Sequence, residues 1–338
     1  MTPRIAVAGC GYWGKNLVRN FAHLGALDLI CDEHPPALAR QAALHPQART
    51  AASFDQILSD ERIRGVVIAT PAAMHYQQAR QALEAGKDVF VEKPLALNYR
   101  EGRDLLELAA RRGAVLMVGH VLEYHPAITL LRDLIARGEL GRIWYLYSNR
   151  LNLGKVRQVE NILWSFAPHD IAILNRLVGA EPIQVHAAGG EYLQGGVMDV
   201  TVTHLTYSGP VRAHIFVSWL HPYKEQKLVV VGDRKMAVFD DTAREGKLKI
   251  YDKGIEWKDG VPVPRQTAET TLYFEETEPL RLECEHFLAC LGSRARPLTD
   301  GASALNVLKV LQASQASLER GGAPVSLAEI TEGDAPHE

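Results

Sequence analysis

The pattern of apolar and polar residues divides the chain into a first part in which strands and helices alternate and a second part dominated by strands. The first part has five short apolar runs typical of buried parallel strands, at residues 5–8, 27–31, 66–69, 88–91 and 114–118. Helical spacing follows several of them, as at Leu17, Val18 and Phe21. This alternation predicts a doubly wound α/β sheet.

The second part begins after Gly119-His120 with a short helix at His125-Pro126. Six strands are then predicted, at residues 142–151, 183–190, 198–207, 211–219, 227–231 and 236–240. One helix at 164–178 interrupts them, residues 253–277 are predicted to be a solvated loop, and helices at 279–291 and 302–320 could pack on either part. Long runs of strands after the alternating part predict an α+β domain with a large, mainly antiparallel open sheet.

Composition excludes several classes of protein. The 338 residues are 47% hydrophobic and 23% charged, with a net charge of −3, and no basic run is present, so we expect no nucleic-acid partner. No apolar segment reaches the 18 residues or so that span a bilayer, so no membrane partner is expected. Cys10, Cys31, Cys284 and Cys290 lack C-x-x-C spacing, which indicates free thiols in a reducing cytoplasm. His186, His204 and His214 show no paired spacing either, so no metal site is expected.

The stretch 5–14, IAVAGCGYWG, carries the strongest motif: a strand, then G-x-G-x-x-G, then a helix. In that order Gly9 allows a tight turn, Gly11 lets backbone approach a pyrophosphate, and Gly14 lets helix and strand pack closely. A P-loop is the alternative, but Asn16 stands where that motif needs Ser or Thr. A lipoprotein signal is excluded by the short apolar run. We therefore predict a Rossmann dinucleotide-binding domain over residues 1–122 and an α+β domain for substrate binding and oligomerisation over 123–338.

Asp32 ends the second strand, 18 residues after Gly14. A carboxylate there can accept hydrogen bonds from both ribose hydroxyls of the adenosine, and no Arg follows it to bind a 2′-phosphate, which favours NAD as the cofactor. The alternative interpretation is an Asp that merely caps the helix at Pro35-Pro36.

Two further polar turns follow strands of the same sheet. Thr70-Pro71 ends one strand and Glu92-Lys93-Pro94 ends the next, and ligands of open α/β sheets bind at such carboxyl edges. Proline holds Lys93 in extended geometry, so its side chain is expected to point towards the cofactor. An ordinary surface lysine is the alternative.

Together these motifs resemble the glucose–fructose oxidoreductase, inositol dehydrogenase and rhizopine-catabolism family of NAD(P)-dependent enzymes. The residues that carry the resemblance are GCGYWG at 9–14, TPAAMH at 70–75, EKP at 92–94, GHVLEYHP at 119–126 and WSFAPHD at 164–170. It covers about residues 3 to 327, and the stretch 150–170 is similar to the branch that acts on UDP-N-acetylhexosamines.

The resemblance implies two catalytic residues, Lys93 beside the nicotinamide and His169 near the reacting hydroxyl. Many members have an aspartate one helical turn before that histidine, whereas this chain has Ser165, so its task is absent or passes to Asp170 or a water. A lysine needs a pKa lowered by about three units to act as a base at pH 7, and a histidine needs almost none. Which residue is the base stays open, and a core histidine is the alternative for His169.

The candidate binding residues fall into two groups. Cofactor contacts are expected from the motif residues Gly9, Gly11, Tyr12, Trp13, Gly14, Asp32, Thr70, Pro71, His75, Glu92 and Lys93. Substrate contacts are expected from His120, Tyr124, Arg150, Asn152, Arg157, Asn161 and His169. Arginines suit bidentate recognition of a UDP diphosphate, with an ordinary loop charge as the alternative for Arg157.

The activity that the resemblance implies is NAD-dependent oxidation of the C3 hydroxyl of UDP-N-acetylglucosamine to a 3-keto sugar. Alternatives are the corresponding uronate, a free sugar or polyol, and a sensor that binds the dinucleotide without catalysis. A downstream aminotransferase that makes a 3-amino sugar for lipopolysaccharide is the expected pathway partner. We also expect a homodimer or homotetramer formed through the C-terminal sheet.

Overall fold

The computed structural model describes residues 3–154, 156–158 and 160–330, which form two compact units. The first unit combines the chain up to Tyr124 with Thr277–Leu308, and the second combines His125–Glu276 with Lys309–Ile330. The chain thus passes between units close to the predicted boundary at 122. The second domain predicted over 123–338 is not continuous, because residues 277–308 pack with the first unit. Its end, 331–338, lies outside the described residues.

Six strands form the parallel sheet of the first unit: β1 (Ile5–Ala8), β2 (Leu27–Cys31), β3 (Arg49–Ala51), β4 (Gly65–Ile68), β5 (Asp88–Glu92) and β6 (Leu116–Gly119). Their order is β3-β2-β1-β4-β5-β6, the Rossmann order, as the sequence predicted. The strand predicted third is β4, because the three-residue edge strand β3 buries only Ala51 and leaves little apolar signal. β1 and β4 are buried along their whole length, which explains their continuous apolar runs.

Nine α-helices are described: α1 (Gly14–His23), α2 (Pro35–Leu44), α3 (Asp55–Leu58), α4 (Ala72–Glu84), α5 (Tyr99–Arg112), α6 (Pro126–Ala136), α7 (Ile162–Val178), α8 (Pro279–Ser293) and α9 (Gly301–Glu319). Short 3₁₀ helices lie at Val121–Tyr124 and Leu327–Glu329. α8 belongs to the first unit because Phe287 packs edge-on against Phe21 of α1 and Phe90 of β5, with ring centroids 6.4 and 5.6 Å away.

The second unit is built on a nine-stranded sheet: β7 (Ile143–Leu151), β8 (Pro182–Gly190), β9 (Val200–Tyr207), β10 (Arg212–Ser218), β11 (Glu225–Gly232), β12 (Met236–Asp240), β13 (Leu248–Lys258), β14 (Val261–Leu272) and β15 (Val325–Ser326). The order is β14-β13-β12-β11-β7-β10-β9-β8-β15. Only β7 and β10 pair in parallel, so the prediction of a large, mainly antiparallel sheet is confirmed.

Residues 273–277 lie outside helices and strands, as predicted, but the solvated loop predicted over 253–272 is wrong. β13 and β14 form a hairpin there, closed by Asp259-Gly260, both with positive φ. An Asp-Gly pair with this backbone is the usual two-residue hairpin turn. This pair is the feature of the sequence that indicates the hairpin. The hairpin was hard to predict because its outer half is largely exposed, so polar residues stand on both faces and no strict alternation marks it.

Two predictions from composition can be compared with the structure. All four cysteines are buried free thiols, as their spacing predicted. Among the described residues, no helix combines the length and the apolar character needed to cross a membrane.

Candidate active site

The glycine-rich turn after β1 has no room for side chains on its inner side. Gly9 has a φ of +85°, and a Cβ on it would lie 2.7 Å from the Ala69 carbonyl carbon. A Cβ on Gly14 would lie 1.9 Å from the Gly9 carbonyl oxygen, whereas one on Gly11 would meet nothing within 4 Å. The turn therefore packs tightly against β4 and leaves its backbone open at Gly11, as a site for a pyrophosphate at the start of α1 requires.

A pocket of about 310 Å³ adjoins this turn. Its lining includes the cationic or titratable side chains Lys15, His34 and Arg40, together with Tyr12 and Gln41. Asp32 lies beside it, half-buried, and its two carboxylate oxygens accept hydrogen bonds from the Cys10 and His34 backbone N–H groups at 2.8 and 2.9 Å. Asp32 thus fixes the turn before α2 but does not cap that helix, whose N-cap is His34 and which has no side-chain cap.

His75, expected to contact the cofactor, is instead buried beneath the strand ends, with 2% of its surface exposed. Its Nδ1 lies 2.7 Å from the Pro94 carbonyl oxygen and its Nε2 lies 2.9 Å from the Thr70 carbonyl oxygen. Thr70 also donates its hydroxyl to Gln78, one turn further along α4, at 2.6 Å. The start of α4 therefore holds together the turns that follow β4 and β5.

Glu92 connects the glycine-rich turn to the Glu-Lys-Pro turn. The Trp13 indole N–H donates to its Oε1 at 2.6 Å, and its carboxylate lies against Gly119, where a Cβ would come within 2.8 Å. Burial raises the pKa of Glu92 to about 7, although the Trp13 hydrogen bond and the charge of Lys93 act in the opposite direction. The ends of β1, β5 and β6 are thereby joined around one carboxyl group.

Lys93 and His120 stand at the ends of neighbouring strands. Lys93 is half-buried and directly follows β5, and its peptide bond to Pro94 is cis. His120 directly follows β6 and is 2% exposed. Burial, helped by the charge of Lys93, lowers the pKa of His120 to about 3, so its imidazole is neutral at physiological pH.

Tyr124 was expected to face the substrate, but the structure places it in the core of the first unit. Its hydroxyl lies 3.0 Å from His286 Nδ1 and 3.3 Å from the Thr299 hydroxyl, and its side chain is 7% exposed. Burial raises the pKa of Tyr124 above its ordinary value. Tyr124 therefore anchors the 3₁₀ turn to α8 and to Thr299, and local sequence does not reveal these long-range contacts.

Arg150 was expected to bind a diphosphate, but its guanidinium already has a carboxylate partner. Its Nε and Nη2 donate to Asp170 at 2.8 and 2.9 Å, and the Ser148 hydroxyl donates to the same carboxylate at 2.6 Å. Asp170 is 1% exposed, so this is a buried bidentate ion pair between β7 and α7. Asp170 therefore holds Arg150 and Ser148 through both of its carboxylate oxygens.

The other expected substrate residues lie around the start of α7. Asn161 caps that helix: its side-chain oxygen accepts the Trp164 N–H at 3.2 Å, and its amide donates to Gln315 at 2.9 Å. Asn152 directly follows β7, and Arg157 is exposed. His169 is half-buried on α7, with Ser165 buried one turn before it.

The sequence missed one buried acid in the first unit, Glu283 of α8. It is fully buried, and among the described residues neither of its carboxylate oxygens has a hydrogen-bond partner. Burial, followed by the charges of Glu92 and Glu123, raises its pKa well above the usual range. Its position among Leu280, Cys284 and Phe287 on one helix was the only sequence signal.

The parallel sheet, the crowded glycine turn and the polar strand ends define a dinucleotide-binding oxidoreductase of the Rossmann class. Residues 3–120 match the oxidoreductase family with an NAD-binding Rossmann fold, GFO_IDH_MocA, and residues 128–238 match the GFO/IDH/MocA C-terminal domain. The chain belongs to the Gfo/Idh/MocA family, and the resemblance seen in its sequence is confirmed.

Three relatives show the range of this family. UDP-N-acetylglucosamine 3-dehydrogenase of Acidithiobacillus ferrooxidans is 27% identical over 322 residues, covering 94% of this chain and 99% of the relative. The solved structure of that enzyme, GnnA, covers 94% of this chain and 98% of its own, with 25% identity and a TM-score of 0.82. The scyllo-inositol 2-dehydrogenase (NAD(+)) of Bacillus subtilis is 26% identical over 343 residues, covering 96% of each chain.

The third relative is known from its solved structure and shares the fold. The WlbA dehydrogenase from Bordetella pertussis, solved with NADH and UDP-GlcNAcA, is 24% identical with a TM-score of 0.80, covering 96% of this chain and 99% of its own.

Proposed function

We propose that this protein is an NAD-dependent dehydrogenase that oxidises the C3 hydroxyl of a UDP-N-acetylhexosamine, UDP-N-acetylglucosamine first, to a 3-keto nucleotide sugar. The observation that carries this proposal is the nearly full-length match to UDP-N-acetylglucosamine 3-dehydrogenase, over 94% of this chain and 99% of that enzyme. Lys93, at the carboxyl end of β5 beside the glycine-rich turn, supports it because ligands of such sheets bind at that edge.

The reaction requires a hydride acceptor and a proton acceptor. NAD, when bound, supplies the acceptor of the hydride that leaves the sugar carbon as its C–H bond breaks. The hydroxyl proton goes to Lys93 or His169, and the O–H electron pair becomes the second bond of the ketone. Lys93 is the proposed contact to the reacting oxygen, and His169 is the second candidate for the proton.

The cofactor proposal rests on Asp32. Its carboxylate lies beside the pocket next to the glycine-rich turn, where an adenosine ribose would lie if the pyrophosphate occupies the open backbone at Gly11. A 2′-phosphate near this carboxylate would meet like-charge repulsion of about 1 to 4 kcal/mol at 4 Å. Because 1 kcal/mol corresponds to about fivefold, we therefore propose a preference for NAD over NADP of at least about fivefold.

Recognition of the diphosphate is proposed to rest on Arg157 and Asn152, with Arg150 in a supporting role. Arg157 is exposed, whereas the Arg150 guanidinium is held by Asp170, the residue after His169. The ion pair between Arg150 and Asp170 would then position α7, and with it His169.

A free polyol is the second candidate substrate. The engaged guanidinium of Arg150 favours it, because one of the two cations expected for a diphosphate already has a partner. The nearly full-length match to scyllo-inositol 2-dehydrogenase is consistent with this alternative. The uronate of UDP-N-acetylglucosamine is a further variant of the leading proposal.

NADH formation in a panel of substrates tests the proposal. The panel contains UDP-N-acetylglucosamine, its uronate, scyllo-inositol, myo-inositol and free N-acetylglucosamine, each with NAD or NADP. We expect kcat/KM to be highest with UDP-N-acetylglucosamine and NAD. Turnover confined to the inositols would support the second candidate, and NAD binding without turnover of any compound would support a sensor.

The cellular role is proposed from the same chemistry. A 3-keto nucleotide sugar is a substrate for transamination, so an aminotransferase that makes a 3-amino sugar is the proposed downstream enzyme, with lipopolysaccharide as the destination. We also propose a cytoplasmic homodimer or homotetramer formed through the nine-stranded sheet. Light scattering of the purified protein measures the oligomeric state directly.

A further inference from the structure

Tyr192 lies in the connection between β8 and β9, residues 191–199, at the end of the large sheet where α7 begins. The Ile162 N–H donates to the Met198 carbonyl oxygen at 3.0 Å, so this connection is tied to the first residue of α7. His169 lies about two turns further along the helix, roughly 10 Å along its axis. The connection is therefore in the same unit as the second candidate base but well removed from it.

The Tyr192 ring is supported on one side and exposed on the other. A Cβ on Gly190 would lie 2.6 Å from the Tyr192 hydroxyl oxygen and 2.7 Å from both Cε2 and Cζ. Nearly equal distances to three adjacent atoms place Gly190 under the face of the ring, which can lie there because glycine has no Cβ. Tyr192 is nevertheless 72% exposed, so the opposite face of the ring is open to a ligand.

The main chain that carries Tyr192 is held by one buried carboxylate. Asp199 is 1% exposed and accepts the N–H groups of Tyr192 and Leu193 at 2.7 and 2.8 Å, together with the Trp219 indole N–H. Burial raises the pKa of Asp199, but these three hydrogen bonds outweigh burial and hold the pKa below its ordinary value. Asp199 is thus an ionised anchor, and the ring is held in place before a ligand binds.

The same connection contacts the segment that carries the proposed diphosphate contacts. The Gln194 side-chain amide donates to the Gln158 carbonyl oxygen at 2.8 Å, next to Arg157 in the chain. Arg157 and Gln158 are both exposed. In a nucleotide sugar the diphosphate lies between the sugar and the nucleoside. With the sugar near His169 and the diphosphate at Arg157, the base would therefore lie further out, on the side of this connection.

We propose that the open face of Tyr192 stacks on the base of a nucleotide-sugar substrate. This inference rests on the proposed function and names the residue that distinguishes a nucleotide sugar from a free sugar or polyol. Aromatic side chains stack on every base, since each base has a π face, so Tyr192 does not itself select uracil. A free polyol has no planar group and gains nothing from this ring. Tyr192 is thus a specificity-determining residue and takes no part in the transfer of hydride or proton.

The first test measures nucleotide binding without turnover. Isothermal titration calorimetry with UDP is carried out in saturating NAD, so that the dinucleotide site is occupied. Wild type should bind UDP at least about fivefold more tightly than pyrophosphate, which lacks the nucleoside, because stacking of one base contributes at least that ratio. Tyr192→Ala should weaken UDP binding by the same factor and leave pyrophosphate binding unchanged. Tyr192→Phe keeps the ring and should bind UDP like wild type.

Two other exposed tyrosines of the second unit are the matched controls. Tyr223 lies at the same end of the sheet, where its ring is edge-on to His221 with centroids 4.5 Å apart. Tyr273 follows β14, at the opposite edge of the sheet from β8. Tyr223→Ala and Tyr273→Ala should both bind UDP like wild type.

The second test moves the ring without removing it. In Gly190→Ala the new methyl group would displace the Tyr192 ring, so UDP binding should weaken. In a Tyr192→Ala background the same change should have no further effect, since the ring that it displaces is absent.

Several outcomes would overturn the inference. They are a wild type that binds UDP no better than pyrophosphate, unchanged UDP affinity in Tyr192→Ala, or an equal loss in Tyr223→Ala or Tyr273→Ala. A changed oligomeric state in Tyr192→Ala with unchanged UDP affinity would instead assign the ring to contacts between copies of this chain. The wild-type comparison stands even if a variant does not fold. Because UDP is not oxidised, UDP binding through Tyr192 without oxidation of any nucleotide sugar would overturn the proposed dehydrogenase activity and leave the stacking contact established.

Discussion

The Trp13 indole N–H donates to the Glu92 carboxylate at 2.6 Å, so a residue of the glycine-rich turn is tied to the residue before Lys93. The remaining surroundings of that carboxylate include the Gly119 backbone and the amide of Lys93, which donates to Oε2 at 3.3 Å. This single carboxyl group thus connects the proposed cofactor turn with the proposed catalytic lysine. Its protonation is expected to affect the stability of the first unit.

We expect Glu92→Gln to change the pH dependence of stability. The folded-state pKa of about 7 lies above the ordinary 4.5, so the folded protein binds the extra proton between these values. The stability that this carboxyl contributes is fully present below about pH 4.5 and is lost as the pH rises to about 7. Relative to wild type, the variant should therefore gain about 2–3 kcal/mol in unfolding free energy between pH 5 and pH 8.

Urea denaturation of both proteins at the two pH values measures this gain. Glu61→Gln, a change at an exposed carboxyl of the same unit, is the control and should show no such pH-dependent difference. A Glu92→Gln variant that tracks the wild type at both pH values would contradict the raised pKa.

Asp32→Ser is expected to abolish most of the preference for NAD. The adjoining pocket already contains Lys15, His34 and Arg40, so removal of the carboxylate leaves cations near the ribose without an opposing charge. NADP affinity should rise at least about fivefold relative to NAD, since the repulsion of about 1 to 4 kcal/mol is removed. Titration of both cofactors by tryptophan fluorescence measures this ratio.

Arg40→Ala in the Asp32→Ser background should remove most of the gain in NADP affinity. Equal affinity of the wild-type protein for NAD and NADP would refute the role assigned to Asp32.

Lys93→Ala is expected to lose most turnover and to keep its NAD affinity, because the role of Lys93 concerns the reacting hydroxyl. His169→Ala should lose less, since Lys93 can pass its proton to water. Stopped-flow measurement of NADH formation, together with NAD titration, separates the chemical step from binding. A larger loss in His169→Ala would reverse the assignment of the base, and full turnover in Lys93→Ala would place the active site elsewhere.

The ion pair between Arg150 and Asp170 is expected to contribute to the stability of the fold and not directly to substrate binding. Asp170→Asn leaves a buried guanidinium without its counter-charge, which typically costs about 3–5 kcal/mol of unfolding free energy. Arg157→Ala, at an exposed cation, should leave stability unchanged and raise KM for the nucleotide sugar at least tenfold. Denaturation and steady-state kinetics of both variants check this. If Asp170→Asn raises KM without loss of stability, Arg150 contacts the diphosphate after all.

The features that could be predicted from the sequence are those that local residue patterns determine. Continuous apolar runs gave the parallel strands, and Asn98 three residues before Glu101 gave the start of α5, where Asn98 accepts the Glu101 N–H at 2.9 Å. Contacts between distant segments were not predictable. The Tyr124 hydroxyl contacts His286, and Arg150 forms an ion pair with Asp170. Two side chains that were expected to contact the substrate therefore contact other residues of the protein.

The measurement that tests the central proposal most directly identifies the oxidised carbon. The protein is incubated with NAD, UDP-N-acetylglucosamine, an amino donor and an aminotransferase that accepts 3-keto nucleotide sugars, and the product is examined by NMR. We expect an amine at C3, with NADH accumulating strongly only when the aminotransferase removes the ketone. An amine at C4, or no new amine while NADH forms from a free polyol, would contradict the proposal.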